Sequence, residues 1–198
     1  MAQTTSGVTP VATKIMLIRH AEKPTVSPPA QGVSVAGAQD KESLIVQGWQ
    51  RAGALAVFFA PSVGPLQNAQ IATPKFIYAA HPGGKGSHSE RPTETVTPLN
   101  EKLGNNVDFN TDFPKGHETQ VGNAAMACAG VVLICWEHEN IPAITAVFPI
   151  STNNKTPVPV TGWPQGRFDV VWVFDLDSTN AYCFSQIPQL LLVGDKPI

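Results

Sequence analysis

The sequence predicts an α/β fold of three layers, α/β/α, in which helices flank a mostly parallel central sheet. Three observations lead there. Short apolar runs of strand length alternate with segments of helical spacing along the chain, the pattern of a sheet covered by helices. The first run, Ile15, Met16, Leu17 and Ile18, is apolar at successive positions, as a central strand buried on both faces requires. Two runs end in a histidine, at the carboxyl ends of strands, where open α/β sheets bind ligands.

The elements follow in order. Strands are expected at 14–18, 76–79, 131–135 and 169–174, with a last one within 182–193 pairing with its predecessor. Residues 23–40 include TVSPPAQGVSVAGAQ, rich in Pro, Gly, Ser and small side chains, and are expected to form a loop over the site. From 43 to 60, Leu44, Trp49, Ala52, Leu55, Ala56 and Phe59 recur at roughly helical spacing, and Pro61 stops the helix. A second helix is expected over 93–103, ended by Gly104. A third covers 119–129, with Val121, Ala124, Ala125 and Cys128 as its apolar stripe. A short one starts near Pro142, which suits a first helical turn. Residues 153–164 read as a turn-rich linker.

Composition bounds the function classes. The chain has 198 residues, 42% hydrophobic and 14% charged, which fits one domain over 1–198 with a flexible amino-terminal segment at 1–13. A net charge of -2 argues against a broad polyanion-binding surface, so nucleic acid is not an expected partner. Cys128, Cys135 and Cys183 form no CxxC pair and read as small buried hydrophobes of a reducing compartment. The first residues lack the basic start and apolar core of a signal peptide, and no apolar run reaches the ~18 residues that span a bilayer. A cytoplasmic protein without membrane association is expected, its oligomeric state left open.

The chemistry gathers in three segments. KIMLIRHAEKP delivers Arg19 and His20 onto the turn after the first strand. A guanidinium offers a fixed fork of donors to phosphate oxygens, and a neutral imidazole nitrogen can attack phosphorus and hold the phosphoryl group. An ordinary strand end with a solvated Arg and a hydrogen-bonded His would read the same way. FIYAAHPGGKGSHSERPTET follows the second strand with a glycine-rich loop, then Arg91 before Pro92 at a helix start. VVLICWEHENIP runs from a strand into His138, flanked by Glu137 and Glu139. Two imidazoles and two guanidiniums can therefore converge on one phosphoryl group.

RHAEKP, SERPTET and WEHENIP, in this order and each after a strand, resemble the histidine phosphatase superfamily, the phosphoglycerate mutase-like fold, from Lys14 to about Asp195. The resemblance implies His20 as nucleophile, Arg19 and Arg91 as phosphate-binding residues, and His138 as the second histidine. It implies a metal-independent phosphatase that forms a phosphohistidine on a small phosphorylated substrate, with no cofactor. Lys23 is a further substrate-binding candidate. The proton donor stays open: Glu139 follows the second histidine as in the acid-phosphatase branch, Glu101 resembles the donor placement of mutase-like members, and Glu22 is a third candidate.

Two alternatives share this fold. A mutase would hold a re-orienting bisphosphate through extra basic residues, for which Lys23, Lys85 and Lys102 are placed by motif. A non-catalytic phosphate-binding module would keep the pocket and lack the acid. A zinc hydrolase using His20, His81, His88, His117 and His138 is less favoured, because no pair has HxxxH spacing. Residues 24–40, 81–90 and 105–118 are expected to build the pocket mouth. Asp175 and Asp177 read as strand-end or turn residues.

Overall fold

The chain enters the sheet at β1 (Lys14–Arg19), whose residues from Ile15 onward are buried in the computed structural model. The structure describes residues 11–83, 88–159 and 162–198. After β1 come a small hairpin of β2 (Thr25–Val26) and β3 (Pro29–Ala30), then α1 (Val46–Phe59), β4 (Phe76–Ala79) and α2 (Arg91–Leu103). A 3₁₀ turn (Gly104–Asn106) leads to β5 (Asp108–Asn110), α3 (Glu118–Ala127), β6 (Val131–Trp136) and α4 (Ile141–Thr145). The chain ends on β7 (Val170–Leu176) and β8 (Tyr182–Pro188).

Six of these strands form one sheet in the order β5-β4-β6-β1-β7-β8. The four on the β5 side run parallel, and β7 and β8 add antiparallel neighbours. The sheet is thus mostly parallel. Alternate residues of β1 face opposite layers, as the two-residue period demands. Ile15 and Leu17 pack with Val121, Ala125, Ile141 and Ile144 of α3 and α4. Met16 and Ile18 pack with Leu55, Phe59, Val96 and Leu99 of α1 and α2. No described helix is long and apolar enough to cross a membrane.

The expected helices and long strands are present with small shifts of their ends. The segment expected as a loop over 23–40 holds the β2-β3 hairpin, and two further features were not anticipated. β5 has only three residues, Asp-Phe-Asn, and carries no apolar run; its pairing with Phe76, Ile77 and Tyr78 defines it. β8 stops at Pro188 because the following turn wraps around Asp195, whose carboxylate accepts the amides of Leu191 and Leu192 at 2.7 and 3.0 Å. The flexible segment expected at 1–13 lies outside the described residues up to residue 10. Val11 and Ala12 both donate to Met126 O, and Thr13 donates to Gly130 O. Asp175 pairs with Lys14 at a strand end, and Asp177 holds the β7-β8 turn through Thr179.

One buried ion network ties the segment after His20 to the chain's end. Arg51, 2% exposed, donates to Glu22 at 2.7 and 2.9 Å, to Asp195 at 2.7 and 3.1 Å and to Gln189 at 3.0 Å. Burial works against its charge, but the hydrogen bonds to Asp195 and Glu22 raise its pKa above the ordinary value. Close packing supports the same junction. A Cβ on Gly48 would stand 2.6 Å from Glu22 O and 3.1 Å from Glu22 N, so only glycine lets α1 cross there.

Removing Arg51 leaves two largely buried carboxylates without their partner, which costs about 3–5 kcal/mol. Arg51→Ala is expected to lower the free energy of unfolding, read from a denaturant titration, by that much. An Arg51→Ala protein as stable as the parent would show that the network carries no stabilising weight.

Candidate functional site

Strand register builds the site. In the parallel pairing of β1 with β6, Arg19 lies opposite Trp136, and His20 N donates to Trp136 O at 3.0 Å. The two strands release their chains side by side, so Glu137, His138 and Glu139 emerge next to His20. On the other side of β6, Ala79 lies opposite Cys135, which brings the β4-α2 loop to the same edge. The start of α2 is tied to the turn after β1: Ala21 N donates to Thr95 Oγ1 at 2.8 Å, and that hydroxyl donates to Arg91 O at 2.7 Å.

A cavity of about 290 Å³ opens at this edge. His20 and Lys23 line it from the β1 turn, and Glu137, His138 and Glu139 from the β6 turn. Glu42 adds to it from the segment before α1, His88 and Ser89 from the β4-α2 loop, Arg91 from the first position of α2, and Lys115 from the segment before α3. Its lining holds both cations and carboxylates.

His20 has one defined tautomer. Its Nδ1 lies 2.7 Å from Ala21 O. A carbonyl only accepts, so Nδ1 carries the hydrogen and Nε2 keeps a free lone pair. Burial lowers its pKa from 6.5 to about 3, and the charges of Arg19, Arg91 and Lys23 act in the same direction against the backbone hydrogen bond. The imidazole is a neutral base at any ordinary pH. His138 is half-buried and its pKa is also lowered, by burial first and then by Arg19.

Carbonyls orient Arg91. Its Nη2 donates to Lys41 O at 2.7 Å, its Nη1 donates to Ser89 Oγ at 3.1 Å, and Glu42 stands 3.5 Å away. Burial lowers its pKa, and the charge stays available to the cavity. Arg19 is placed differently. It is 4% exposed, its guanidinium lies 3.8 Å from the centre of the Phe168 ring, and its Nη1 reaches Arg167 O only at 3.4 Å. Its Nε is buried with no hydrogen-bond partner. Burial brings its pKa down to about 10. Arg19 therefore sits behind the cavity wall, close enough to bias both histidines.

No protein-family model matches this chain, and no curated protein does. Its chemistry has to be read from the residues.

Of the expected site residues, His20, Arg91, His138, Glu139 and Lys23 line one cavity, and Arg19 does not. The carboxylates separate clearly. Glu139 faces the cavity, while Glu22 is engaged by Arg51. Glu101 is exposed near the end of α2, ten residues and about 15 Å along the helix from Arg91. Lys102 lies beside it and donates to Ser62 Oγ at 2.9 Å; Lys85 lies outside the described residues. Of the expected mouth, 81–90 supplies His88 and Ser89 and 105–118 supplies Lys115, but 24–40 supplies no lining residue. Among the described residues, no group of three or more His, Cys, Asp or Glu side chains is placed to hold a metal ion.

Glu42 and Lys115 were not singled out, since each arrives on a segment without local periodicity. Glu137 was legible only as a neighbour of His138. The ensemble offers a neutral imidazole nitrogen, guanidinium and ammonium groups for an anion, and carboxyl groups for proton exchange.

The depressed pKa of His20 sets the sign of a pH effect. The unfolded chain takes up a proton at this residue near pH 6.5, and the folded chain only near 3. Stability from this residue is thus present above 6.5 and falls as the pH drops towards 3. Titration by NMR should find His20 neutral with hydrogen on Nδ1 at pH 5. A charged imidazole at that pH would contradict the buried, Ala21-bonded geometry.

Proposed function

We propose that this chain is a metal-independent phosphatase of the histidine phosphatase type, hydrolysing a phosphomonoester through a phosphohistidine on His20. The carrying observation is the Nδ1 hydrogen bond of His20 to Ala21 O, which leaves Nε2 free and unprotonated in a cavity that also holds Arg91 and His138.

The steps follow from charge and proton balance. The phosphoryl group enters with its oxygens towards Arg91 and His138. His20 Nε2 attacks phosphorus in line with the ester oxygen. As the P–O bond breaks, Glu139 gives its proton to the leaving oxygen, and an alcohol departs. Water then attacks the phosphohistidine, Glu139 takes one of its protons, and inorganic phosphate and free His20 are restored. Charge on the equatorial oxygens is met by groups already held in place, so little reorganisation accompanies the reaction.

Hydrolysis is favoured over a mutase by the placement of lysines. Of the three that a bisphosphate was expected to use, Lys23 lines the cavity, Lys102 is turned to Ser62, and Lys85 lies outside the described residues. Lys115 adds a second ammonium, which serves a single phosphoryl group as well. A non-catalytic module would have no use for an imidazole held in its nucleophilic tautomer.

Quenching in detergent at alkaline pH after incubation with a ³²P-labelled phosphomonoester should give a base-stable phosphoenzyme whose label is lost on later acid treatment. His20→Ala should abolish it and lower kcat/KM by more than about 10³-fold. Arg91→Ala should cost about 10²–10³-fold. The reading is falsified if the parent protein forms no phosphoenzyme and His20→Ala leaves turnover unchanged.

A further inference from the structure

The cavity at His20 adjoins a second one. This neighbour, about 330 Å³, is lined by His138, Glu139, Gly162, Trp163 and Gln165. His138 and Glu139 face both cavities, and His20 faces only the first. On the phosphatase reading, on which this inference rests, the leaving oxygen stands opposite His20 and beside the proton donor. Because Glu139 borders both cavities, a leaving group beside it can extend from the first into the second.

We propose that the second cavity is the leaving-group subsite and that its ligand is a neutral, polyhydroxylated alcohol of monosaccharide size, recognised through Gln165. Size comes first, since the two cavities together fall within the ~300–1,000 Å³ of ordinary small-molecule sites. Charge comes next. No lysine or arginine lines the second cavity, and Glu139 contributes a carboxylate, so a second phosphate or a carboxylate there meets no cation on the wall, only the charge of Arg19 behind it. Arg167, the nearest guanidinium in sequence, is engaged by Asp169 and Lys196 O.

Stacking is also disfavoured. Trp163 is 6% exposed, its ring lies 5.1 Å from that of Trp172, and its indole N–H donates to Arg167 O at 2.9 Å. Little of its face is left for a nucleobase or a phenol. Gln165 is exposed at the cavity and offers both a donor and an acceptor, the pair that hydroxyl groups need. At Gly162 a Cβ would meet none of the described atoms within 4 Å.

The test compares kcat/KM for glucose 6-phosphate, 6-phosphogluconate, AMP, a phosphotyrosine peptide and acetyl phosphate, whose leaving group is too short to cross the second cavity. Glucose 6-phosphate should exceed 6-phosphogluconate, AMP and the peptide by about tenfold or more. Gln165→Ala should lower kcat/KM for glucose 6-phosphate about five- to tenfold more than for acetyl phosphate, the loss of one neutral hydrogen bond. Equal rates for the four larger esters, a preference for the added carboxylate, or an equal effect of Gln165→Ala on both substrates would overturn the subsite while leaving the phosphatase reading intact. Failure to hydrolyse any compound, acetyl phosphate included, would overturn both.

Discussion

Because β1 and β6 pair in parallel, from Lys14 opposite Val131 to Arg19 opposite Trp136, two histidines far apart in sequence leave the sheet at neighbouring points. Hairpins alone would not achieve this, since antiparallel neighbours release their chains at opposite edges. Parallel neighbours need crossover connections, and here α1, α2 and α3 serve as those crossovers while covering the two faces. The apolar residues that make β1 and β6 central strands therefore also set where His20 and His138 stand. A slip of one residue in this pairing would turn Ile15 and Leu17 to the opposite layer. The packing of the core and the geometry of the cavity thus share one constraint.

Three buried or half-buried guanidiniums show how the surroundings decide what a charge can do. Arg51 is satisfied by two carboxylates, its charge is compensated, and its pKa rises. Arg91 is oriented by carbonyls and a hydroxyl, with Glu42 3.5 Å away as a looser ion-pair partner on the same cavity. Arg19 rests on an aromatic face with a buried nitrogen unpartnered. Burial lowers the pKa of the last two. A cation destabilised in this way gains most from an arriving anion, so Arg91, which lines the cavity, suits an anion there, while Arg51 suits structure.

The sequence was informative where chemistry is local and poor where it depends on the fold. Apolar strands followed by Arg-His or Glu-His-Glu were visible as text, since strand and functional side chain are contiguous. The roles of the carboxylates were not. Glu22 sits two residues from His20, yet Arg51, brought in by α1, claims it. Glu101 shares a helix with Arg91, but the 1.5 Å rise per residue carries it away from the site. Glu42 and Lys115 reach the cavity on loops, whose course follows from distant contacts such as Arg91 with Lys41 O. β5 owes its existence to an available edge of β4 rather than to its own residues.

The position of Arg19 bears on how a phosphoryl group would be received. Its present contacts are a ring face, worth about 0.5–2 kcal/mol, and a long 3.4 Å approach to Arg167 O. A charge-assisted bond from a guanidinium to a phosphate oxygen is shorter and about twice as strong as a neutral one. On the proposed phosphatase reading that bond falls to Arg91, which lines the cavity, while Arg19 stays behind the wall on the face of Phe168. The Phe168 and His20 ring centres are 6.1 Å apart, so one ring borders both the guanidinium and the imidazole. From there Arg19 acts through its charge, which lowers the pKa of both histidines.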